Sequence, residues 1–157
     1  MKSKNLTRCF ICIEISREAI DEVENIQKQI KKKNIFYGKF TEPENLHLTL
    51  KFLGEISEEK IEDVRKELGE IKQQGFEASL GELGTFINRY NSILWINLNG
   101  KQIWGLQEII DAKMRGLGFA PEERFMSHIT IARMKKISPS DFFPLLLQGT
   151  RTSISFD

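Results

Sequence analysis

The sequence predicts an α+β domain, or a split βαβ arrangement, made of two related halves. Amphipathic helical segments alternate with antiparallel-looking strands. One order recurs: a strand, a helix, then a later strand bearing His-x-Thr-x. It runs first as 8–15, 17–33 and the His47 strand, then as 93–98, 101–115 and the His128 strand. The 157 residues suit one domain, or two small lobes sharing a core at about 1–75 and 76–157, with strands free to cross over between them.

The first strand spans about Arg8 to Ile15 and is rich in β-formers. Ser16 is placed to cap a helix through about Lys33, with Ile20, Val23, Ile26 and Ile30 on one buried stripe. Lys31, Lys32 and Lys33 set cations at the negative end of that helix; a solvated terminus is the plain reading and RNA contact the other. Ile35 to Phe40 reads as a short strand and Thr41 to Asn45 as a turn. Leu46 to Leu53 is a strand that Gly54 ends. Ser57 caps a second helix, with Glu58 and Glu59 in its first turn and Ile61, Val64, Leu68 and Ile71 buried. Phe76 to Leu83 and Ile93 to Leu98 read as strands, joined through the polar Arg89 to Ser92. A third helix follows Asn99 and Gly100, from Lys101 to about Arg115, with Leu106, Ile109, Ile110 and Met114 apolar and Gly116 and Gly118 at its end. Pro121 to Arg124 is a loop, and Phe125 to Met134 carries the second motif. Ser138 to Asp141 opens a short helix through Leu147, and Thr152 to Phe156 reads as a strand that meets the chain end.

Composition excludes several classes of function. No apolar run approaches the roughly 18–20 residues of a membrane helix. Met1 to Thr7 is polar and lacks the core of a signal peptide. Lys and Arg number 23 against 22 Asp and Glu, a net charge of +1. That excludes a protein held on nucleic acid by bulk charge, though not one with a local basic cleft, and it is compatible with a monomer. Cys9 and Cys12 have C-x-x-C spacing, but on a strand they point to opposite faces, and no second pair completes a zinc site. Free, buried cysteines fit a reducing cytoplasm.

Only two histidines are present, His47 and His128, which leaves no room for a histidine-rich metal cage. Both sit in the same pattern, His47-Leu48-Thr49-Leu50 and His128-Ile129-Thr130-Ile131. Strand residues i and i+2 share a face, so each strand offers an imidazole and a hydroxyl on one side and apolar anchors on the other. One such pattern reads most simply as a half-buried strand. Two patterns holding both histidines point to chemistry. If the two faces meet across a cleft, one neutral imidazole can accept a proton from water and one imidazolium can donate to a leaving oxygen. The Thr49 and Thr130 hydroxyls can then hold non-bridging phosphate oxygens. This set suits metal-free acid–base hydrolysis of a phosphodiester, without a cofactor.

The residues from His47 through Gly54-Glu55, and Ser127-His128-Ile-Thr-Ile-Ala-Arg133, resemble the paired signatures of the two-histidine phosphoesterase superfamily. The branch most similar is that of the RNA 2′,3′-cyclic phosphodiesterases, also called 2′-5′ RNA ligases. Arg8-Cys-Phe-Ile-Cys-Ile13, Pro43-Glu-Asn-Leu-His47 and Leu117-Gly-Phe119 resemble that branch in the same order. The resemblance implies a bilobal α+β fold, its duplicated halves each an antiparallel sheet with outer helices, around a central cleft. It implies hydrolysis of an RNA 2′,3′-cyclic phosphate to a 2′-phosphate. His47 would protonate the departing 3′ oxygen, His128 would activate water, and Thr49 and Thr130 would hold the phosphate. It also implies that Phe52 and Arg133 flank the terminal base. Strand parity argues otherwise, because an odd offset from the histidine faces away unless a bulge intervenes. Core packing competes as the reading of Phe52. Lys51 has the parity to reach the cleft rim, with a solvated lysine as its plain reading.

Members of that branch continue past the strand near Thr152, through a Gly-Pro-Tyr-like turn and a last strand, so the resemblance implies a shortened end at Asp157. The substrates implied are RNA ends with a cyclic phosphate, tRNA-derived ones included, and small cyclic nucleotides. Two other functions fit the same residues: 2′-5′ RNA ligation by the reverse reaction, and a non-catalytic RNA- or nucleotide-binding module.

Overall fold

A computed structural model describes residues 5–137 and 152–156. The elements run β1 (Leu6–Glu14), α1 (Arg17–Lys33), β2 (Phe36–Phe40), a 3-10 turn at Pro43–Asn45, β3 (His47–Ser57) and α2 (Glu58–Gly69). They continue with β4 (Phe76–Phe86), β5 (Ser92–Asn99), α3 (Lys101–Gly116), β6 (His128–Ile137) and β7 (Thr152–Phe156). The helix expected from Ser138 to Leu147 lies outside the described residues. No described helix is long and apolar enough to cross a membrane.

Local chemistry explains the helix ends. The Ser16 hydroxyl accepts from the Ala19 N–H at 3.2 Å, and Ser57 accepts from Lys60 N–H at 3.3 Å. Asn34, at φ +50°, closes α1 in the left-handed region. Gly118, at φ +92°, closes α3, with its N–H on Arg115 O and the Phe119 N–H on Met114 O, both at 3.0 Å. That pair of bonds is a Schellman closure.

The strands form one antiparallel sheet in the order β1-β3-β6-β5-β4-β7, with β2 also paired to β6. The helices cover one face. Leu48, Leu50, Ile129 and Ile131 are buried against Ala19, Val23, Ile26 and Ile30 of α1 and Ile103, Ile110 and Met114 of α3 within one core. Removing each of these Leu, Ile, Val or Met side chains from water is worth about 1.5–3 kcal/mol.

The expectation of a separate sheet in each half needs adjustment. β3 and β6 join the two sets of strands through the pair Leu48 opposite Ile129, and β2 crosses from the first half of the chain to the second. Two local expectations also change, at Gly54 and at the cysteines. Gly54 does not end its strand: at φ +73° it absorbs an irregularity against β1, and β3 runs on to Ser57. Cys9 is half-buried and Cys12 is exposed, so the cysteines are free but not buried.

Two of the sheet's irregularities are bulges in the motif strands. Ile11 faces Lys51 while Cys12 faces Thr49, leaving Leu50 as an extra residue in β3. Leu94 faces Ala132 while Trp95 faces Thr130, leaving Ile131 as an extra residue in β6. Each extra residue sits three positions after the motif histidine. The Ile131 carbonyl accepts the Thr41 N–H at 3.0 Å and the buried Gln27 Nε2 at 2.9 Å. Gln27 Nε2 also donates to Thr41 O at 2.9 Å, so α1 stitches the β2–β3 connection to the bulge. Replacing Gln27 with Leu strands two buried carbonyl contacts and is expected to lower unfolding stability by about 1–2 kcal/mol. A denaturant midpoint equal to that of the parent protein would show that the bulge needs no such support.

Candidate active site

Each motif histidine is the first residue of its strand, and each is tethered alike. His47 Nδ1 lies 2.7 Å from Asn45 O, and His128 Nδ1 lies 2.8 Å from Met126 O. A carbonyl can only accept, so both Nδ1 atoms carry the proton and both neutral rings keep a lone pair on Nε2. His47 Nε2 lies 3.1 Å from Thr49 Oγ1. The pairing of Leu48 with Ile129 puts His47 level with Thr130 and Thr49 level with His128. Backing this face, the buried Ser127 hydroxyl donates to Leu98 O at 2.7 Å and anchors the start of β6 to β5.

The open face of the sheet holds a cavity of about 370 Å³ lined by His47, Thr49, His128 and Thr130. That volume suits a nucleotide-sized ligand. Phe52 and Arg133 line it too, which strict alternation does not allow. The bulges are the reason. Leu50 and Lys51 are buried in succession, as are Ile131 and Ala132, and the next residue on each strand swings to the cavity side. Phe52 is 69% exposed there, not packed in the core.

The same bulge carries Lys51 the other way, correcting its expected place on the cleft rim. Lys51 is only 3% exposed and donates to Asp111 Oδ1 at 2.6 Å and to Ala120 O at 2.8 Å. The Asp111 carboxylate also accepts the Glu122 N–H at 2.9 Å, with Arg115 Nε 3.4 Å away. Burial alone would push the Asp111 carboxyl up. The Lys51 and Glu122 hydrogen bonds, with the charges of Lys51 and Arg115, outweigh that and hold it below its ordinary range. The network ties the first motif strand to α3 and to the segment that leads into the second.

The remaining lining residues had no sequence signal of their own. Phe10 stacks on His47 at 5.0 Å and 22°, and tilts against Phe52 at 6.3 Å. Lys39, Phe40, Thr41, Glu42 and Asn45 complete the wall from β2 and the turn after it, with Lys39 paired to Glu42 at 2.9 Å. His128 is held differently, edge-on to Phe86 at 5.2 Å and to Trp95 at 6.1 Å. Trp95 lies flat over Gly84, where an added Cβ would come within 2.2 Å of its ring. Alternation in β1 could have marked Phe10, since it is an aromatic on the outward face of a strand.

Comparison with known proteins now bears on this geometry. Residues 13–95, more than half of the chain, match the family described as LigT like Phosphoesterase. The RNA 2′,3′-cyclic phosphodiesterase of Methanocaldococcus jannaschii is 36% identical over 131 residues, covering 83% of this chain and 73% of that one. The protein of the same name from Archaeoglobus fulgidus is 31% identical over 134 residues, covering 84% and 75%. The chain belongs to the LigT-like phosphoesterase family. Its fold follows that of Escherichia coli LigT in apo form, with a TM-score of 0.76 at 22% identity, covering 97% of this chain and 84% of that one.

Breaking the Lys51–Asp111 pair and removing it whole carry different costs. Lys51→Ala leaves a buried carboxylate without its cation and is expected to cost about 3 kcal/mol of stability. Lys51→Met combined with Asp111→Leu removes both charges and is expected to cost far less. Because the folded Asp111 pKa is depressed, its contribution is complete above the model-compound value of 3.8 and is lost as pH falls through the folded value. Unfolding midpoints measured below pH 4 should therefore fall less steeply in Asp111→Asn than in the parent protein. Parallel pH slopes would remove Asp111 as an acid-sensitive group.

Proposed function

We propose that the chain hydrolyses 2′,3′-cyclic phosphate ends of RNA to 2′-phosphates, without a metal, by acid–base catalysis between His47 and His128. The observation that carries this reading is the matched tether of the two imidazoles. Two rings on neighbouring strands, each fixed through Nδ1 to a backbone carbonyl two residues back, line one cavity. The curated relatives named RNA 2′,3′-cyclic phosphodiesterase support the substrate class.

In this reading water attacks phosphorus and gives its proton to the neutral His128. The bond from phosphorus to the 3′ oxygen breaks, and His47, as the imidazolium, protonates that oxygen. The phosphate stays on the 2′ oxygen. Thr49 and Thr130 donate to the non-bridging oxygens, where charge grows in the transition state. Phe10 supports the assignment of His47 as the acid, because a cationic ring over a phenyl face is attracted by the ring quadrupole. Phe52 and Arg133 flank the terminal base by stacking and by cation–π contact. The substrates include tRNA-derived ends and small cyclic nucleotides.

The test is turnover of a nucleoside 2′,3′-cyclic phosphate in EDTA. His47→Ala and His128→Ala are each expected to lower kcat by a factor of about 10²–10⁴, and Thr49→Val or Thr130→Val by about 10². The parent protein should show a bell-shaped pH–rate profile, since the two rings are needed in opposite protonation states. Full activity in either histidine variant would end the two-imidazole mechanism, and loss of parental activity in EDTA would end metal independence.

A further inference from the structure

A second concavity, of about 350 Å³, lies where the end of α1 meets β2. Ile30, Lys31 and Asn34 border it from the helix and Tyr37 from the strand. Lys39 and Phe40 line both this groove and the active-site cavity, so β2 borders both. Lys31 is exposed beside the groove, and the exposed Lys32 and Lys33 extend the basic run. With a net charge of only +1 over the whole chain, this cluster is a local concentration of positive charge.

Tyr37 is 72% exposed, a large ring left in water beside these lysines. A π face next to ammonium groups is the composition of a platform for single-stranded nucleic acid, where bases stack and phosphates pair with cations. An acidic protein surface would use the lysines but not the ring. From Phe40 to Tyr37 is three strand steps, about 10 Å at ~3.3 Å each. Stacked nucleotides are about 3.4 Å apart along a strand, so that span covers two or three of them.

We propose that this groove holds the two or three nucleotides that precede the cyclic end of a single-stranded RNA, with a base on Tyr37 and backbone phosphates at Lys31 and Lys39. This rests on the reading of the cavity as an RNA-end site. The enzyme then acts on oligonucleotide ends in preference to free cyclic mononucleotides.

The test compares the parent protein with Tyr37→Ala, Lys31→Ala and Lys31→Arg. Binding of a hexaribonucleotide ending in a 3′-phosphate is followed by fluorescence anisotropy across a salt series. Tyr37→Ala is expected to weaken binding roughly tenfold. Lys31→Ala should lower the logarithmic salt slope by about 0.7, and Lys31→Arg should restore it. Turnover of a mononucleoside 2′,3′-cyclic phosphate should be unchanged in all three. Parental hexamer binding in both alanine variants overturns the groove, and so does an equal loss on mononucleotide and oligonucleotide substrates. A parent protein that hydrolyses neither cyclic substrate, yet binds the hexamer through Tyr37 and Lys31, overturns the hydrolase reading and leaves the groove standing.

Discussion

A single antiparallel pair, Leu48 opposite Ile129, joins the two motif strands among the described residues. Both side chains are fully buried beneath the helices. Neighbouring side chains on a strand alternate in direction, so burying this pair turns His47, Thr49, His128 and Thr130 to the open face together. The core and the site are thus one constraint seen from two sides. A polar residue at either position would cost core energy and would also free the two strands to separate. Outward from this pair the strands gain other partners: β1 takes the far edge of β3, and β2 and β5 take the two edges of β6.

The bulges set the width of the site. Without them each strand would present to the cavity only the even offsets from its histidine. One extra residue at Leu50 and another at Ile131 reverse the phase and deliver Phe52 and Arg133 to the same cavity as the histidines. The cost is an interrupted ladder, and each strand meets it differently. In β6 the Ile131 carbonyl is satisfied by Gln27 and by the Thr41 backbone. In β3 the inward-turned Lys51 is satisfied by Asp111 and the Ala120 carbonyl. Both solutions reach across to other elements, so the site's shape depends on α1 and α3 as well as on its own strands.

The motif tetrad, the helices and their caps were legible in the sequence because each is written in local spacing. The bulge in β6 also left a trace. Its apolar residues fall at Ile129 and Ile131, then Ala132 and Met134, a phase slip in the alternation. In β3 the matching slip runs Leu48 and Leu50, then Lys51 and Leu53, and the charge on Lys51 hides it. A buried lysine is expected only where a partner is known, and Asp111 lies 60 residues away. Alternation therefore sent Lys51 to the rim and Phe52 to the core, the reverse of where the bulge puts them. The joining of the strands into one sheet was illegible for a related reason: β3 and β6 meet through one non-local pair.

The two imidazoles share one backbone tether and one position in their strands, so that tether gives no basis for different roles. What differs is the aromatic surface around each ring. His47 lies face to face with Phe10, which sits on an outer strand and reaches the cavity itself. His128 meets the rings of Phe86 and Trp95 edge-on, in a corner that exists because Gly84 carries no side chain. The phenyl face over His47 attracts a charged ring, and the perpendicular contacts fix the orientation of His128. What sets the two rings apart therefore lies in residues outside the repeated motif. A sequence that kept both His-x-Thr-x patterns but lost Phe10 and Gly84 would keep the two imidazoles and two hydroxyls and lose these distinct settings.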